Sequence, residues 1–166
     1  ATLGGSAVFV FMGAIAADRY GMSALVISLA FSANALVSIP TARFRGRRRF
    51  AGGYFALTGV CAVISTQADQ SAVLWVVLCL WGAAFWMAVP GSYTLLAERS
   101  RFPTERAGDA QAAMAFGRAL GPLVAGALVA GGEYATLGWV GGGLLVVAGA
   151  LLVAVELVVP PIRAEA

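Results

Sequence analysis

The chain has 166 residues, of which 60% are hydrophobic and only 11% are charged, and its mean hydropathy is +0.86. Soluble domains carry about 25% charged residues, so this chain lacks the polar surface needed to face water on all sides. The net charge is +3, every basic residue is an arginine, and histidine is absent. The commonest general base and the commonest zinc ligand are therefore missing, which argues against most hydrolases.

Six apolar stretches follow one another along the chain, separated by short breaks. Most come close to the ~20 residues that cross about 30 Å of hydrocarbon, although the first is short. We predict an all-α integral membrane protein: a single six-helix transmembrane bundle over residues 1–166 with no separate soluble domain. The predicted spans are residues 1–17, 22–41, 50–67, 72–96, 107–131 and 135–159.

The first apolar stretch has no basic residue before it and no visible cleavage site. These features argue against a signal peptide, and we expect the chain to be a piece of a longer polypeptide. The absence of lysine and the abundance of alanine, glycine and arginine are typical of a GC-rich bacterial genome.

Arginines are concentrated on one side of the predicted membrane. If all six spans cross, the second break, the fourth break and the C-terminal tail share a side, and only Arg19 lies on the other. Because arginine in short loops sets orientation, we predict a multi-pass protein of the plasma (inner) membrane with both termini in the cytoplasm. The cytoplasmic arginines are Arg43, Arg45, Arg47, Arg48, Arg49, Arg99, Arg101, Arg106 and Arg163.

The dense run from Arg43 to Arg49 lies between two spans. On a soluble surface such a run would suit phosphate binding. Between two spans, anchoring to anionic lipid headgroups is the ordinary interpretation, so we expect a lipid bilayer and no nucleic acid as partner.

The sequence offers little for metal binding or catalysis. Cys61 and Cys79 each lie alone in an apolar stretch, without a CxxC partner or metal-ligand spacing. Paired intramembrane carboxylates and a GxSxG motif are also missing from the sequence. We expect no metal, no cofactor and no enzymatic activity.

The fifth predicted span carries a packing seam and a charge side by side. Small residues recur at every fourth position along one flank, at Ala113, Gly117, Gly121 and Ala125. Such a flank lets two helix backbones approach closely inside a membrane. Gln111, Arg118 and Pro122 fall together on the adjacent flank.

Arg118 is the first candidate for a functional side chain. An arginine near the bilayer centre costs at least ~2.5–3.5 kcal/mol, so it should face a cavity or a partner. It would contact a polar or anionic substrate group, or an acidic residue elsewhere in the bundle; alternatively, it would hydrogen-bond carbonyls freed by Pro122. Gln111 and Asn34 are secondary cavity candidates, for which an interhelical amide bond of about 0.6 kcal/mol is the alternative.

Three stretches resemble one half of a major facilitator superfamily transporter. TARFRGRRR, from Thr41 to Arg49, looks like the signature between the second and third helices of a half. Gly46-Arg47-Arg48 fits that signature, but Arg43 stands where the family has aspartate and Phe44 where it has arginine. The break before the fifth span resembles the family's Pro-x-x-Arg-x-Gly core, with the residues Pro103, Arg106 and Gly108.

The third stretch is similar to the antiporter signature of that superfamily. The matching residues are Gly108, Gly117, Gly121, Pro122, Ala125 and Gly126, with alanine in place of the first of two closing small residues. The fourth span lacks the intramembrane arginine expected in a first half, and the chain stops soon after the sixth span. We therefore favour the second half, helices 7–12, over the first half.

The resemblance implies a secondary active transporter whose substrate binds near the bilayer midplane between two six-helix bundles. Its partners would be a missing six-helix half, or a second copy, and a small-molecule substrate. The antiporter-like motif favours proton-coupled export of small, partly apolar molecules. A six-span membrane scaffold or assembly protein without transport activity remains the alternative.

The resemblance also draws attention to charges at the predicted cytoplasmic ends. They would either form ion pairs that gate the rocking of the bundle or remain solvated loop charges. The cytoplasmic loop and gating candidates are the charged residues Arg43, Arg47, Arg48, Glu98 and Arg106, together with Gly46 of the loop motif. Because Asp18 and Glu156 lie near span ends, we expect any titrating intramembrane acid to belong to the missing half.

Overall fold

The computed structural model of the chain describes residues 1–41 and 51–162. This described part is all-helical and contains no strand, which confirms the predicted all-α class for these residues. Its helices are α1 (Thr2–Val10), α2 (Met12–Asp18), α3 (Ala24–Thr41), α4 (Ala51–Gln67), α5 (Ser71–Glu98), α6 (Pro103–Ala130) and α7 (Tyr134–Val158).

Four helices, α3, α5, α6 and α7, are long and apolar enough to cross a membrane. α4 has 17 residues, one fewer than α3, the shortest of these four, and the stretch Thr2–Asp18 that holds α1 and α2 is similarly short. At 1.5 Å per residue, about 17 residues are still at the lower limit for a spanning helix. The helices are thus those of a membrane-embedded protein.

The largest differences from the sequence-based boundaries occur at two places. The first predicted span is divided at Phe11, whose N–H donates to Val8 O three residues back instead of four. α6 starts at Pro103, four residues before the predicted span, because proline is well suited to the first turn of a helix, where its missing N–H costs nothing.

α4 and α7 form the tightest helix pair. A Cβ atom built on Gly59 would lie 2.5 Å from Gly142 O, and one built on Gly142 would lie 2.6 Å from Gly59 O. One heptad away, Gly52 and Gly149 face each other in the same reciprocal way. The two helices run antiparallel, and only glycine at these positions permits their backbones to meet.

α1 lies between α7 and α6. On one side Gly4 packs against Gly141 of α7. On the other side Leu3 and Ser6 pack against Gly117 and Gly121 of α6. Small residues on all three helices therefore bring α1 into the centre of the bundle.

The major contacts follow an approximate two-fold pattern. The first predicted span corresponds to α1 and α2, and the second to sixth predicted spans correspond to α3 to α7. Exchanging the first three spans for the last three maps the α4–α7 pair onto itself. The same exchange converts the α1–α6 pair into the α5–α3 pair, and the α4–α5 pair into the α7–α1 pair, and all of these pairs are in contact.

Candidate functional site

Arg118 lies near the middle of α6, fifteen residues after the helix begins and twelve before it ends. Its side chain is exposed on the outside of the bundle. No residue in the described ranges 1–41 and 51–162 forms an ion pair or a hydrogen bond with it. A permanently charged guanidinium therefore points away from these helices at mid-span.

The orientation of Arg118 follows from its neighbour Gly117. Gly117 is buried where α6 meets α1, with Leu3 N 2.9 Å from the position that its Cβ would occupy. The next residue is turned by about 100°, which takes Arg118 out of the contact. Gln111, two turns earlier on the same flank, is also exposed, whereas Pro122 is half-buried. Because proline has no N–H, Pro122 also leaves Arg118 O without its usual helical donor.

The predicted packing seam lies against α1 for most of its length. Gly117, Gly121 and Ala125 are buried, and a Cβ built on Gly126 would lie 3.8 Å from the ring of Phe11. Ser6 of α1 adds a polar contact, since its hydroxyl donates to Gly117 O at 3.2 Å as well as to carbonyls of its own helix.

The N-terminal part of the same motif is not packed. Ala113 is exposed, one turn before Gly117, which lies against Thr2. Gly108 is likewise exposed, and a Cβ added there would meet no atom of the described residues within 4 Å. The seam and the arginine flank are thus adjacent, and the seam continues beyond the start of α1 as an open stripe.

Asn34 is buried at the contact between α3 and α5. Its amide Nδ2 donates to Leu78 O at 2.5 Å. Gly82 makes this approach possible, because a Cβ there would lie 2.7 Å from Nδ2 and 2.6 Å from Asn34 O. Nearby, the rings of Phe9, Phe31 and Trp81 join α1, α3 and α5, with centroid distances of 5.5 and 5.6 Å. Asn34 therefore links two helices, while Arg118 and Gln111 lie exposed on α6.

The gating candidates are only partly within the described structure. Arg43, Gly46, Arg47 and Arg48 lie outside the described residues. Glu98 pairs with Arg99 at 3.8 Å, and its backbone carbonyl accepts a hydrogen bond from Ile162 N at 2.8 Å. Arg106 pairs with Asp109 at 3.0 Å on the exposed first turns of α6.

Arg99, which sequence reasoning did not single out, caps the C-terminus of α7. Its Nε donates to Val159 O at 2.7 Å and its Nη2 donates to Glu156 O at 3.2 Å. Carbonyls at a helix C-terminus have no intrahelical donor and carry the negative end of the helix dipole, so an arginine is favourable there.

Arg19 caps the C-terminus of α4 in the same way, at the opposite end of the bundle. Its guanidinium donates to Ala68 O at 3.1 Å and to Gln67 O at 2.9 Å, and it pairs with Asp69 at 3.1 Å. The neighbouring Asp18 accepts a hydrogen bond from Tyr134 at 2.5 Å. These bonds tie the first, third and fifth breaks together at one end.

Tyr20, in the same break, adds a bond from its hydroxyl to Ser65 O at 2.9 Å. Burial raises the pKa of Tyr20 above its ordinary value, and the opposing effect of the nearby Arg19 charge is smaller. The hydroxyl therefore stays protonated and available as a donor at physiological pH.

A groove of about 810 Å³ opens at the N-terminal end of α1, between α5, α6 and α7. Its lining is mainly apolar, and Ala1 and Thr2 form one end of it. Tyr93 also lines the groove, and within the described part of the chain its buried hydroxyl has no hydrogen-bond partner. The same described residues contain no group of three or more His, Cys, Asp or Glu side chains that could hold a metal ion.

The chain matches no model of a known protein family, no curated protein and no solved structure. A functional interpretation therefore depends on the helix arrangement, on the position of Arg118 and on the sequence motifs.

Proposed function

We propose that the chain is one six-helix half, the second, of a secondary active transporter of the major facilitator type, and that the Arg118 flank of α6 lines its central cavity. The observation that carries the proposal is the exposed Arg118 at the middle of a 28-residue apolar helix, where no described residue pairs with it. Facing hydrocarbon would cost at least ~2.5–3.5 kcal/mol. A water-filled cavity or a polar partner removes that cost.

The pairing of the helices supports this architecture. An approximate exchange of the first three spans with the last three is what an inverted repeat produces, and many transporters are built from such repeats around a site near the bilayer midplane. An acidic residue followed by arginine stands after the first predicted span, at Asp18-Arg19, and after the fourth, at Glu98-Arg99. The same exchange of spans relates these two dipeptides. Each arginine caps the helix two spans further on.

Two helices have wide uncovered surfaces on which a second bundle would pack. Only 11% of the apolar window of α3 and 17% of that of α6 are buried, against 39% for α5. In a twelve-helix protein the missing six helices would cover these surfaces and form the opposite wall of the cavity.

The packing within the bundle suits movement as a rigid body. Close glycine contacts join α4 to α7, and arginine caps tie breaks to helix ends on both sides. In alternating access the bundle would rock against its partner around a fixed substrate site, and Arg118 would hold a polar or anionic group of the substrate. The coupling acid would lie in the other half.

Transport by the full natural polypeptide in proteoliposomes tests the proposal. We would measure proton movement with an internal pH-sensitive dye while adding a panel of small, partly apolar compounds, ethidium among them. We expect saturable, compound-dependent proton flux. Arg118→Ala should reduce it about tenfold or more, a loss of ~1.4 kcal/mol or more of transition-state stabilisation.

Arg118→Lys should keep part of the flux because the positive charge remains. Val147→Ala, an exposed apolar position on α7, is the matched control and should leave transport unchanged. Absence of saturable flux from correctly folded protein across the whole panel would favour a scaffold. Normal flux in Arg118→Ala would remove Arg118 from the transport cycle.

A further inference from the structure

We propose that the Arg118 flank of α6, formed by Gln111, Arg118 and Pro122, selects organic anions: the transported molecules carry a carboxylate or a similar acidic group on an apolar body. This inference rests on the proposed transport function and narrows its substrates to one charge class. The observations behind it are the distribution of carboxylates in the bundle, the polar groups along the flank and the small side chains beside them.

The carboxylates of the described residues all lie near the ends of the helices. Most stand in a break or at the last residue of a helix. Only Glu105, Asp109 and Glu156 lie further inside a helix, and each of them is within two turns of its end. Arg118 has fifteen residues of α6 before it and twelve after it, so among the described residues it is the one charged side chain at mid-span.

The carboxylate nearest to Arg118 along α6 cannot neutralise it. Asp109 lies nine residues earlier, about 14 Å along the axis and two and a half turns around it, so it faces the opposite side of the helix. Its carboxylate is also paired with Arg106 at 3.0 Å. Because a guanidinium keeps its charge at any physiological pH, the described surface around Arg118 has a fixed positive potential.

The other groups on the same flank are neutral. Gln111 lies two turns before Arg118, about 10 Å along the axis, and its exposed amide can both donate and accept hydrogen bonds. Pro122 leaves Arg118 O without its usual helical donor, which adds one acceptor. The side chains of Ala115 and Ala119 are exposed and small, so an apolar body can lie close to the helix beside these polar groups.

This arrangement suits one charge class of ligand. The planar guanidinium presents two parallel N–H donors to a carboxylate, and such charge-assisted bonds are about twice as strong as bonds between neutral groups. A neutral polar group about 10 Å from the carboxylate would reach Gln111. An organic cation would meet a like charge and, among the described residues, no carboxylate at mid-span. Compounds such as ethidium should therefore be the poorest substrates.

The charge preference of the flank can be measured with thiol reagents. In the natural polypeptide with Cys61→Ala and Cys79→Ala, Ala115→Cys places a thiol on the exposed flank, three residues before Arg118. It is reacted with two methanethiosulfonates of similar size, one bearing a sulfonate and the other a trimethylammonium group. We expect the ratio of the sulfonate rate to the trimethylammonium rate to exceed that of a free thiol in solution about tenfold or more.

Substitutions of Arg118 show whether its charge causes the preference. Arg118→Gln should return the ratio to that of the free thiol, whereas Arg118→Lys should keep most of the preference because the positive charge remains. Arg101→Gln is the matched control, since it removes an exposed arginine from the break before α6 and should change the ratio less than about twofold. Ala119→Cys, exposed beside Arg118, provides a second reporter if Ala115→Cys does not insert.

Transport of charge-matched pairs in proteoliposomes tests the substrate class itself. Each pair shares a ring system and carries permanent charges of opposite sign, as naphthalene-2-sulfonate and 2-naphthyltrimethylammonium do. Uptake is corrected for protein-free liposomes. The anion of a pair should show the larger saturable uptake, by about tenfold or more, and Arg118→Gln should remove the difference.

The outcomes separate this proposal from the transport function on which it rests. Reaction of both reagents at a ratio that Arg118→Gln does not change would overturn the anion preference and leave a water-filled cavity, because the guanidinium would then be neutralised by an acidic group. Equal or larger uptake of the cations would overturn it as well and leave transport established. Reaction with neither reagent, or uptake of no pair, would contradict the proposed function itself and the substrate class with it.

Discussion

Gly59 and Gly142 face each other where α4 crosses α7, and a methyl group on either would lie about as close to the other's carbonyl oxygen as a hydrogen-bonding atom, at 2.5–2.6 Å. Gly52 and Gly149 repeat this relationship along the same helix pair. Because carbon cannot approach a carbonyl oxygen so closely, the pair holds its spacing only with glycine on both sides. The contact therefore holds α4 and α7 together as one unit.

Gly59→Ala should destabilise the bundle by about 1–3 kcal/mol, the range for inserting a methyl group into a packed contact. Gly53→Ala is the control, since it lies in the same helix and a Cβ there would meet no atom of the described residues within 4 Å. It should be neutral or stabilising by about 0.5–1 kcal/mol, since alanine favours the helix. Reversible unfolding in detergent measures both; similar effects of the two substitutions would contradict the α4–α7 geometry.

Gly82→Ala should weaken the α3–α5 contact more than Asn34→Ala does. Loss of the Asn34 amide bond removes about 0.6 kcal/mol, whereas a methyl group on Gly82 would press on the backbone of Asn34 as well as on its amide. Ser32→Ala is the control, because its exposed hydroxyl donates to a carbonyl of its own helix, α3. Unfolding free energies give the ranking, and a larger loss for Asn34→Ala would reverse it.

Arg99→Ala should cost about 1.5–3 kcal/mol, because two charge-assisted bonds at the end of α7 are lost and the side chain is only 12% exposed. Arg19→Ala should cost less, about 1 kcal/mol, since that side chain is 30% exposed. Asp69→Asn should change stability by less than about 0.5 kcal/mol, as Asp69 is 93% exposed. Unfolding in detergent measures all three; if Asp69→Asn equals Arg19→Ala, the ion pair and not the carbonyl cap is the stabilising contact.

Tyr20 should make the free energy of unfolding depend on pH, with a sign that follows from its raised pKa. Its pKa is higher in the folded chain than the ordinary value of 10.0, because burial disfavours the phenolate. The folded state therefore gains stability that is fully present below pH 10.0 and is lost as pH rises through the raised pKa. Unfolding of the wild type between about pH 9 and 11 should show this loss, and Tyr20→Phe should show a smaller one. An identical pH profile in both proteins would contradict it.

The helical class and the approximate helix positions follow from composition and apolar stretches, because hydrocarbon leaves the backbone no alternative to internal hydrogen bonds. The Gly117–Gly121 spacing indicates a seam, but the sequence does not identify α1 as its partner. Which helices pack together depends on which small residues meet in three dimensions. The four-residue spacing of small residues does not determine that.

The arginine caps are not evident from charge alone, because Arg19 and Glu98-Arg99 look like ordinary charges in the breaks between spans. A signal for them is nevertheless present: an acidic residue followed by arginine recurs after the first and the fourth spans, at Asp18-Arg19 and Glu98-Arg99. For Asn34 the sequence does not decide between a residue that lines a cavity and one that joins two helices. Only the position of Gly82 opposite Asn34 shows that the amide reaches a backbone carbonyl.

The proposed transport function places the Arg118 flank of α6 against water inside the membrane. In the natural polypeptide without Cys61 and Cys79, Arg118→Cys would be reacted with a membrane-impermeant cationic methanethiosulfonate, with Leu123→Cys, exposed on another side of the same helix, as the comparison. We predict at least roughly tenfold faster labelling at position 118, because the reactive thiolate forms only in contact with water. Labelling no faster than at position 123 would contradict the claim.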